Sequence, residues 1–197
     1  MEVIWQMAIF PEFGEMPRLE TERLVLRRVT MGDVEDIFAY ASDAEVTKYL
    51  MWEPHATLYD SRVFVTSALA RYQCLSPAPW GIELKETRRI IGTCDFISWI
   101  WPHARAEIGY ALARAYWGRG IMTEAVREMI DYGFRVRGLN RIQAMCEIPN
   151  VGSARVMENA GMTYEGILRQ YMIQHDNFRD MKMYAILRRD WLPFSKP

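Results

Sequence analysis

Several features that would mark a particular class of protein are scarce in this sequence. Its cysteines, Cys74, Cys94 and Cys146, lie far apart and form no Cys-x-x-Cys pair, so the sequence predicts neither a disulfide framework nor a zinc site. No apolar run approaches the roughly 20 residues of a membrane-spanning helix. The mildly apolar start carries Glu2 instead of the basic residues that open a signal peptide. We therefore expect a cytoplasmic protein without a metal or a membrane partner.

An excess of charge of either sign is missing as well. The 24 basic and 25 acidic residues leave a formal net charge of −1, which gives no general attraction to a nucleic acid. The chain is rich in apolar residues, because half of its 197 residues are apolar and 13% are aromatic. That composition suits one folded domain. We interpret residues 1–17 as an irregular extension and residues 18–197 as a single domain.

The spacing of apolar residues predicts strands and helices in mixed order. Strands are expected at residues 23–29, 80–84, 89–99, 105–112, 141–147, 162–172 and 179–187. Helices are expected at about residues 31–42, 44–50, 58–72, 118–137 and 153–159. Because the two kinds of element do not alternate strictly, a single mixed α/β sheet fits best.

The helix expected at 118–137 opens with two glycines, Gly118 and Gly120, on either side of Arg119. A helix start has unpaired N–H groups and a partial positive charge, and both stabilise an anion. Glycine also lets the backbone approach a ligand closely. The pattern is compatible with a phosphate-type ligand at 118–123, although an isolated Gly-x-Gly is more often only a tight turn. The dinucleotide fingerprint and the Walker sequence are both absent.

A second group of polar residues, Asn150 and Ser153, follows the strand expected at 141–147 and opens the next short helix. Asn and Ser are common helix caps, so capping alone is the simpler interpretation. The position of this pair beside the sheet makes it a candidate for a binding site.

Seven ordered segments together resemble the GNAT superfamily of N-acetyltransferases, in its ribosomal-protein N-terminal acetyltransferase (RimJ/RimL-like) branch. The segments are Thr-Glu-Arg-Leu-Val-Leu-Arg at 21–27, Ile-Gly-Thr-Cys-Asp-Phe at 91–96, Ala-Glu-Ile-Gly-Tyr at 106–110, Trp-Gly-Arg-Gly-Ile-Met-Thr-Glu-Ala at 117–125, Leu-Asn-Arg-Ile at 139–142, Asn-Val-Gly-Ser-Ala-Arg at 150–155 and Asn-Ala-Gly-Met-Thr-Tyr-Glu-Gly at 159–166. The resemblance implies an α/β fold with a twisted mixed sheet. Two central parallel strands splay apart in that sheet, and helices cover both faces.

The resemblance also implies acetyl-coenzyme A as cosubstrate. Its pantetheine would enter between the strands at 107–112 and 141–147, and its pyrophosphate would lie on the loop at 117–122. Gly120 matches the family pattern there, whereas Trp117 replaces a Gln or Arg and Met122 replaces a small residue. The residues expected to bind the coenzyme are Ile108, Tyr110, Leu112, Trp117, Gly118, Arg119, Gly120, Ile121, Met122, Thr123, Asn150 and Ser153.

For the chemistry, the resemblance implies a glutamate on the strand before the loop, acting as a base on the acceptor amine. Glu107 stands at that position. The alternative is that Glu107 only pairs with Arg105 or Arg141.

The resemblance does not assign the proton donor to the leaving thiolate as directly. Met157 stands where the family usually has a tyrosine acid, so we expect Ser153 to serve, with Tyr110 and Tyr164 in reserve. A lone strand cysteine such as Cys146 is more often a small core residue than a nucleophile. Direct attack by the amine in a ternary complex is therefore expected.

The sequence does not decide whether the acceptor is the N-terminal amine of a protein, such as a ribosomal protein, or a small amine. Trp52, Trp80, Trp99 and Trp101 are aromatic candidates for its site, and one or two of them are expected to line it. Glu53 and Asp95 could attract an ammonium group. Other functions remain possible, namely an acetyl-coenzyme A-binding module without turnover or a nucleotide-binding protein. The protein could be a monomer or a homodimer.

Overall fold

One sheet runs through the centre of the molecule. The computed structural model describes residues 15–174 and 176–191. Eight strands lie in the order β1-β2-β3-β4-β5-β6-β8-β7. The strands are β1 Leu19–Glu20, β2 Leu24–Arg28, β3 Trp80–Leu84, β4 Arg89–Ile100, β5 Arg105–Leu112, β6 Arg141–Glu147, β7 Thr163–Gln174 and β8 Asn177–Leu187. Neighbouring strands are antiparallel except for β5 and β6, which run parallel.

The helices lie mainly in two parts of the chain, between β2 and β3 and on either side of β6. The α-helices of the described residues are α1 Val34–Ala41, α2 Ala44–Thr47, α3 Leu58–Gln73, α4 Ile121–Arg135 and α5 Val151–Asn159. Short 3₁₀ helices occupy Met31–Asp33, Trp101–His103, Arg114–Tyr116 and Arg188–Asp190. No helix in this part of the chain is both long and apolar enough to cross a membrane.

Both faces of the sheet are covered by helices. Arg71 of α3 pairs with Asp95 of β4 at 3.0 Å, and α1 packs beside α3. The ring of Tyr132 in α4 packs against Phe96, the next residue of β4, and α5 packs beside α4. Because successive side chains of a strand point to opposite faces, α3 and α4 lie on opposite sides of the sheet. The predicted mixed α/β fold with helices on both faces is confirmed.

The two parallel strands separate soon after they meet. β5 pairs with β6 at Arg105–Arg141, Ala106–Ile142 and Glu107–Gln143, and the pairing ends there. Residues 108–112 of β5 and 144–147 of β6 then line an opening, which we call the central gap. β4 and β8 continue to pair with the outer sides of these strands. The splayed central strands expected from the sequence are therefore present.

The core between α4 and the sheet is closely packed around aromatic rings and one glycine. Trp80 contacts Phe96 and Tyr132 edge to face, with ring centroids 6.0 and 5.7 Å apart. A Cβ on Gly133 of α4 would come within 2.7 Å of the side chain of Ile142 on β6. The absence of a side chain at Gly133 therefore lets α4 lie close to β6.

Several predicted boundaries differ from the structure, among them the end of the helix expected at 44–50, which ends at Thr47. The helix expected from residue 118 begins at Ile121, because Gly118 and Gly120 both have a φ of +71°, outside the helical region. The helix expected from 153 begins at Val151, because Asn150 caps it. The turn expected at 175–178 is shorter, since β7 extends to residue 174 and β8 begins at residue 177.

The start of the described chain packs against the domain. The side chain of Met16 is buried in the core, and the indole N–H of Trp80 donates to the carbonyl oxygen of Pro17 at 2.8 Å. Residues 1–14, most of the predicted extension, lie outside the described residues.

Candidate active site

The loop at 117–120 connects a 3₁₀ turn after β5 with the start of α4. Its first residue, Trp117, has an indole N–H that donates to the carbonyl oxygen of Leu112 at 2.7 Å, so the loop is tied to the end of β5. The first helical bond runs from the N–H of Glu124 to the oxygen of Gly120. The N–H groups of residues 121–123 consequently have no acceptor within the helix. A Cβ on Gly118 would meet no atom within 4 Å, so this loop has room beside it for a ligand.

Two residues of the predicted coenzyme site turn their side chains inward. Ile121 and Met122 are each 4% exposed and belong to the core. The bulk of Met122, unusual for the family, is therefore directed away from the open side of the loop. Both residues can offer only main-chain N–H groups to a ligand.

Tyr110 links β5 to α5 across the central gap. Its hydroxyl lies 2.9 Å from the hydroxyl of Ser153 and donates to the main-chain oxygen of Ser153 at 3.2 Å. Burial raises the pKa of Tyr110 far above its usual value, in spite of the hydrogen bond with Ser153. The other two predicted contacts on β5, Ile108 and Leu112, have buried side chains.

Ser153 also lies beside the thiol of Cys146. Burial raises the pKa of this thiol to about 11, and a hydrogen bond with Ser153 offsets only part of the rise. Cys146 is therefore protonated at neutral pH and is a weak nucleophile.

Asn150 acts as the N-cap of α5, because its side-chain oxygen accepts from the N–H of Ser153 at 3.1 Å. The capping interpretation is therefore confirmed for Asn150, whereas the hydroxyl of Ser153 contacts Tyr110 instead. Capping also fixes Ser153 in the first turn of the helix, next to Tyr110.

Glu107 stands at the point where β5 and β6 separate. Its carboxylate accepts a hydrogen bond from the side-chain amide of Gln143 at 3.0 Å. Arg141 is instead paired with Glu165 through two bonds of 2.7 and 2.6 Å, so the alternative of a Glu107–Arg141 pair is wrong. Burial raises the pKa of Glu107, and this effect outweighs the opposing effects of Gln143 and the nearby charge of Arg105.

A second carboxylate, Asp95, lies partly buried on the same face of the sheet as Glu107. One of its oxygens accepts from Arg71, whereas Oδ1 has no hydrogen-bond partner among the described residues. Burial raises the pKa of Asp95 to about 6 in spite of Arg71. This ion pair makes Asp95 a less accessible candidate for an ammonium group than the sequence suggested.

The segment after α2 and the end of β7 meet at Gln174. The side-chain amide of Gln174 donates to the carbonyl oxygen of Leu50 at 2.7 Å. Met51 and Trp52 follow Leu50 in the chain and Ile173 precedes Gln174, and all three are exposed. We call these three residues the apolar rim.

The other three tryptophans predicted for the acceptor site lie in or against the core, unlike Trp52. Trp80 is completely buried. Trp99 and Trp101 pack against the core, and the guanidinium of Arg137 lies over both rings at 5.5 and 5.3 Å. Of the four candidates, Trp52 is the one beside the Gln174 contact.

Sequence reasoning missed Gln143 as the partner of Glu107, and it missed the contacts that hold the 117–120 loop. Arg23, just before β2, donates to the carbonyl oxygen of Arg119 and to the carboxylate of Glu124. Arg23 lies within the resemblance segment at 21–27, but its partners lie about a hundred positions further along the chain. Among the described residues, no group of three His, Cys, Asp or Glu side chains could hold a metal ion.

Known proteins are similar to this chain in sequence and in fold. A family profile described as Acetyltransferase (GNAT) domain matches residues 23–163. The chain is 38% identical over 172 residues to the uncharacterized N-acetyltransferase YoaA of Bacillus subtilis, covering 87% of this chain and 97% of that one. It is 28% identical over 185 residues to the [ribosomal protein uS5]-alanine N-acetyltransferase of Escherichia coli, covering 89% and 93%.

Solved structures agree with these relatives. A GNAT-family acetyltransferase from Bacillus anthracis superposes with a TM-score of 0.79 at 30% identity, covering 88% of this chain and 99% of that one. The microcin C7 self-immunity acetyltransferase MccE, solved with acetyl-CoA and AMP, shares the fold with a TM-score of 0.75 at 23% identity, covering 85% and 93%.

The fold, the loop and the relatives define an enzyme of the acyltransferase class. More particularly, the chain belongs to the GNAT family of N-acetyltransferases. The family membership predicted from the seven sequence segments is confirmed, and ribosomal-protein acetyltransferases are among the relatives.

Proposed function

We propose that this enzyme acetylates the N-terminal amine of a protein, using acetyl-coenzyme A in a ternary complex. The observation that carries the proposal is the central gap, which opens where pairing of β5 with β6 ends at Glu107–Gln143. The loop at 117–120 and Ser153 stand on the side of α4 and α5. Glu107 faces the side of α1 and α3. The gap thus joins an anion-binding loop to a candidate base.

The loop residues fit the anionic part of the coenzyme. The unpaired N–H groups at the start of α4 favour a pyrophosphate through hydrogen bonds and the helix dipole. Gly118 and Gly120 leave space for it, and Trp117 holds the loop against β5. The main chain of 108–112, free of β6, would pair with the pantetheine.

The proposed chemistry uses one residue on each face. When bound, acetyl-coenzyme A supplies a thioester whose C–S bond breaks as the amine forms its new C–N bond. Glu107 accepts the proton that the amine loses, directly or through a water molecule. The hydroxyl of Ser153, held by Asn150 and Tyr110, donates a hydrogen bond to the thiolate that leaves and relays to it a proton taken from solvent, so that Ser153 ends unchanged, while Glu107 returns its proton to solvent. The weakly nucleophilic Cys146 favours this direct transfer over an acetylated cysteine.

Support for a protein N-terminus as acceptor comes from one relative and one surface. The E. coli relative is named for acetylation of an alanine of ribosomal protein uS5. The apolar rim of Met51, Trp52 and Ile173 offers exposed apolar side chains that suit the first residues of a peptide. A small amine would need only a confined site and would leave this rim unused.

A release assay tests the proposal and its alternatives. Purified enzyme is mixed with acetyl-coenzyme A and peptides that begin with Ala or Ser, and free thiol is measured. Release is expected with these peptides and not with copies whose N-terminus is blocked. Release with small amines but with none of the peptides would show that the acceptor is a small amine and not a protein N-terminus. Tight coenzyme binding without release from any amine would indicate a non-catalytic module.

The loop assignment has its own test. Gly120→Glu adds a carboxylate next to the anion site, with its Cβ 3.7 Å from Arg23 Nη2. Its charge repels a pyrophosphate and its side chain strains the left-handed backbone of the loop, so calorimetry should detect no coenzyme A binding. Gly138→Glu is a matched control, because Gly138 has a similar φ of +67° and lies beyond the far end of α4, where a Cβ would meet no atom within 4 Å. Equal affinities of the Gly120→Glu variant and the wild type would refute the assignment.

A further inference from the structure

Arg23 makes an unusual set of contacts from the turn between β1 and β2. Its Nε donates to Glu124 Oε2 at 2.7 Å, and its main-chain N–H donates to Glu124 Oε1 at 2.9 Å. Its Nη1 donates to the carbonyl oxygen of Arg119 at 3.0 Å. The hydroxyl of Thr21 completes the cluster with a 2.5 Å bond to Glu124 Oε1. One side chain therefore holds both the loop before α4 and the first turn of the helix.

The bond to Arg119 determines where the next N–H points. A trans peptide group is planar, and its C=O and N–H point in opposite directions. Since Arg23 holds the carbonyl of Arg119, the N–H of Gly120 must face away from Arg23. Gly120 is in the left-handed region with a φ of +71°. The Arg23 contact therefore selects one orientation of a peptide that glycine would otherwise leave free to rotate.

Arg23 also balances a charge. Burial would raise the pKa of Glu124, but hydrogen bonds from Thr21 and Arg23 outweigh it and lower that pKa. Glu124 is therefore an anion in the first turn of α4, near the place where a phosphate would bind. Without Arg23, this carboxylate would repel an anionic ligand and compete for the unpaired N–H groups.

We propose that Arg23 is a positioning residue of the coenzyme site, which orients the N–H of Gly120 toward the pyrophosphate and neutralises Glu124. The inference rests on the proposed function, because it takes the loop at 117–120 as the pyrophosphate site. It adds a residue about a hundred positions earlier in the chain, which reaches the coenzyme only through other groups.

The test compares Arg23→Gln, Glu124→Gln and the double variant, with coenzyme A affinity measured by calorimetry. Arg23→Gln should weaken coenzyme A binding about tenfold, or about 1.4 kcal/mol. The double variant should recover part of this loss, because it lacks the uncompensated carboxylate. The loss of affinity that remains in the double variant measures how much the orientation of the Gly120 peptide contributes to coenzyme A binding. Arg18→Gln is the matched control, since Arg18 is an exposed arginine of the same segment that pairs with Glu20 and not with the loop in the part of the chain that the structure describes.

Kinetics separate positioning from general destabilisation. At a temperature where all variants are folded by circular dichroism, Arg23→Gln should raise KM for acetyl-coenzyme A about tenfold. The kcat and the KM for the peptide should stay within about twofold of the wild type. Arg23→Lys keeps the charge but cannot reach both partners in the same way. Its KM for acetyl-coenzyme A should therefore lie between those of the wild type and Arg23→Gln.

The outcomes distinguish this inference from the proposed function. Wild-type affinity in a folded Arg23→Gln variant, or a fall in kcat equal to the fall in kcat/KM, would overturn the role of Arg23. A wild-type protein that binds no coenzyme A would overturn the proposed function itself. Binding is measured with coenzyme A alone, so the two affinity results do not depend on finding the acceptor.

Discussion

Glu107 and Tyr110 stand three positions apart on β5, so their side chains leave the strand on opposite faces. Glu107 lies on the side of α1 and α3 with Gln143 as its partner, and Tyr110 contacts Ser153 on the side of α5. In the proposed reaction, proton removal from the amine and proton return to the thiolate are therefore separated by the sheet. Variants of Glu107 and Ser153 should affect different steps.

Replacing Glu107 by Gln removes the proposed base but retains an oxygen that can accept from Gln143. We expect kcat/KM on an Ala-starting peptide to fall roughly 100-fold near pH 7. The deficit should shrink above about pH 8, where an N-terminal amine is already neutral. Because burial raises the pKa of Glu107, the wild-type activity should decline on acidification at a higher pH than for an ordinary glutamate. The measurement is kcat/KM from pH 6 to 10.

Glu86→Gln is a suitable control for that profile, since Glu86 is exposed in the turn between β3 and β4. It should leave the profile unchanged. Superimposable profiles of the wild type and Glu107→Gln would remove Glu107 from the mechanism.

Ser153→Ala should lower kcat by one to two orders of magnitude and change KM for acetyl-coenzyme A by less than about twofold. The cap of α5 should survive, because Asn150 bonds to the main-chain N–H of residue 153. Tyr110 retains its bond to the main-chain oxygen there. Steady-state kinetics check the expectation, with Cys146→Ala as comparison. Loss of activity in Cys146→Ala instead would indicate a covalent route.

At the scale of elements, the apolar pattern of the sequence predicted α4 itself but not the residue at which α4 begins. The apolar stripe predicted the helix and its packing face, but the first turn was placed three residues too early. Periodicity cannot distinguish a glycine inside a helix from one in the left-handed region before it. Contact with Arg23 and Trp117 fixes that difference, and both contacts come from outside the helix. The role of Asn150 as a cap depends on local chemistry and was recognisable from sequence.

Two glycines test how closely the elements pack. A Cβ on Gly92 of β4 would collide with the main-chain oxygen of Ala111, which cannot move without disturbing β5. On Gly133 it would meet the ends of the Ile142 and Leu139 side chains, which can shift. We expect Gly92→Ala to lower the free energy of unfolding by about 3 kcal/mol, and Gly133→Ala by about 1 kcal/mol after the gain in helix propensity. Urea denaturation compares the two, and a larger loss for Gly133→Ala would contradict this account.

On the scale of the whole molecule, two groups of strands meet at a short junction. β1 to β5 and β6 to β8 are joined by three parallel residue pairs, and α4 connects them in the chain. The resemblance of seven segments predicted this division. It did not predict the register at which the strands part, nor that Arg23 would bind α4. These features arise from contacts between residues distant in sequence, such as Arg23 and Glu124, which are 101 positions apart.

Coenzyme binding should stabilise the folded protein, because the proposed site lets the coenzyme contact both sides of the gap. At 100 times its dissociation constant, a ligand adds about 2.7 kcal/mol to the free energy of unfolding. For a chain of this size that corresponds to a rise in Tm of roughly 5–10 °C. Thermal unfolding with and without coenzyme A measures it. Gly120→Glu should show no rise and Gly138→Glu a normal one, and an equal rise in both would contradict the loop assignment.

The early end of the β5–β6 pairing also means that the sheet contains two edges in its interior. In a parallel strand, alternate residues turn their N–H and C=O groups toward the neighbour, so some amides of 108–112 have no strand to protect them. These amides should exchange with deuterium quickly in the free enzyme, while those of residues 105–107 exchange slowly. A bound pantetheine would slow exchange in the first group alone. The protection pattern would then mark the extent of the coenzyme along β5 without a crystal of the complex.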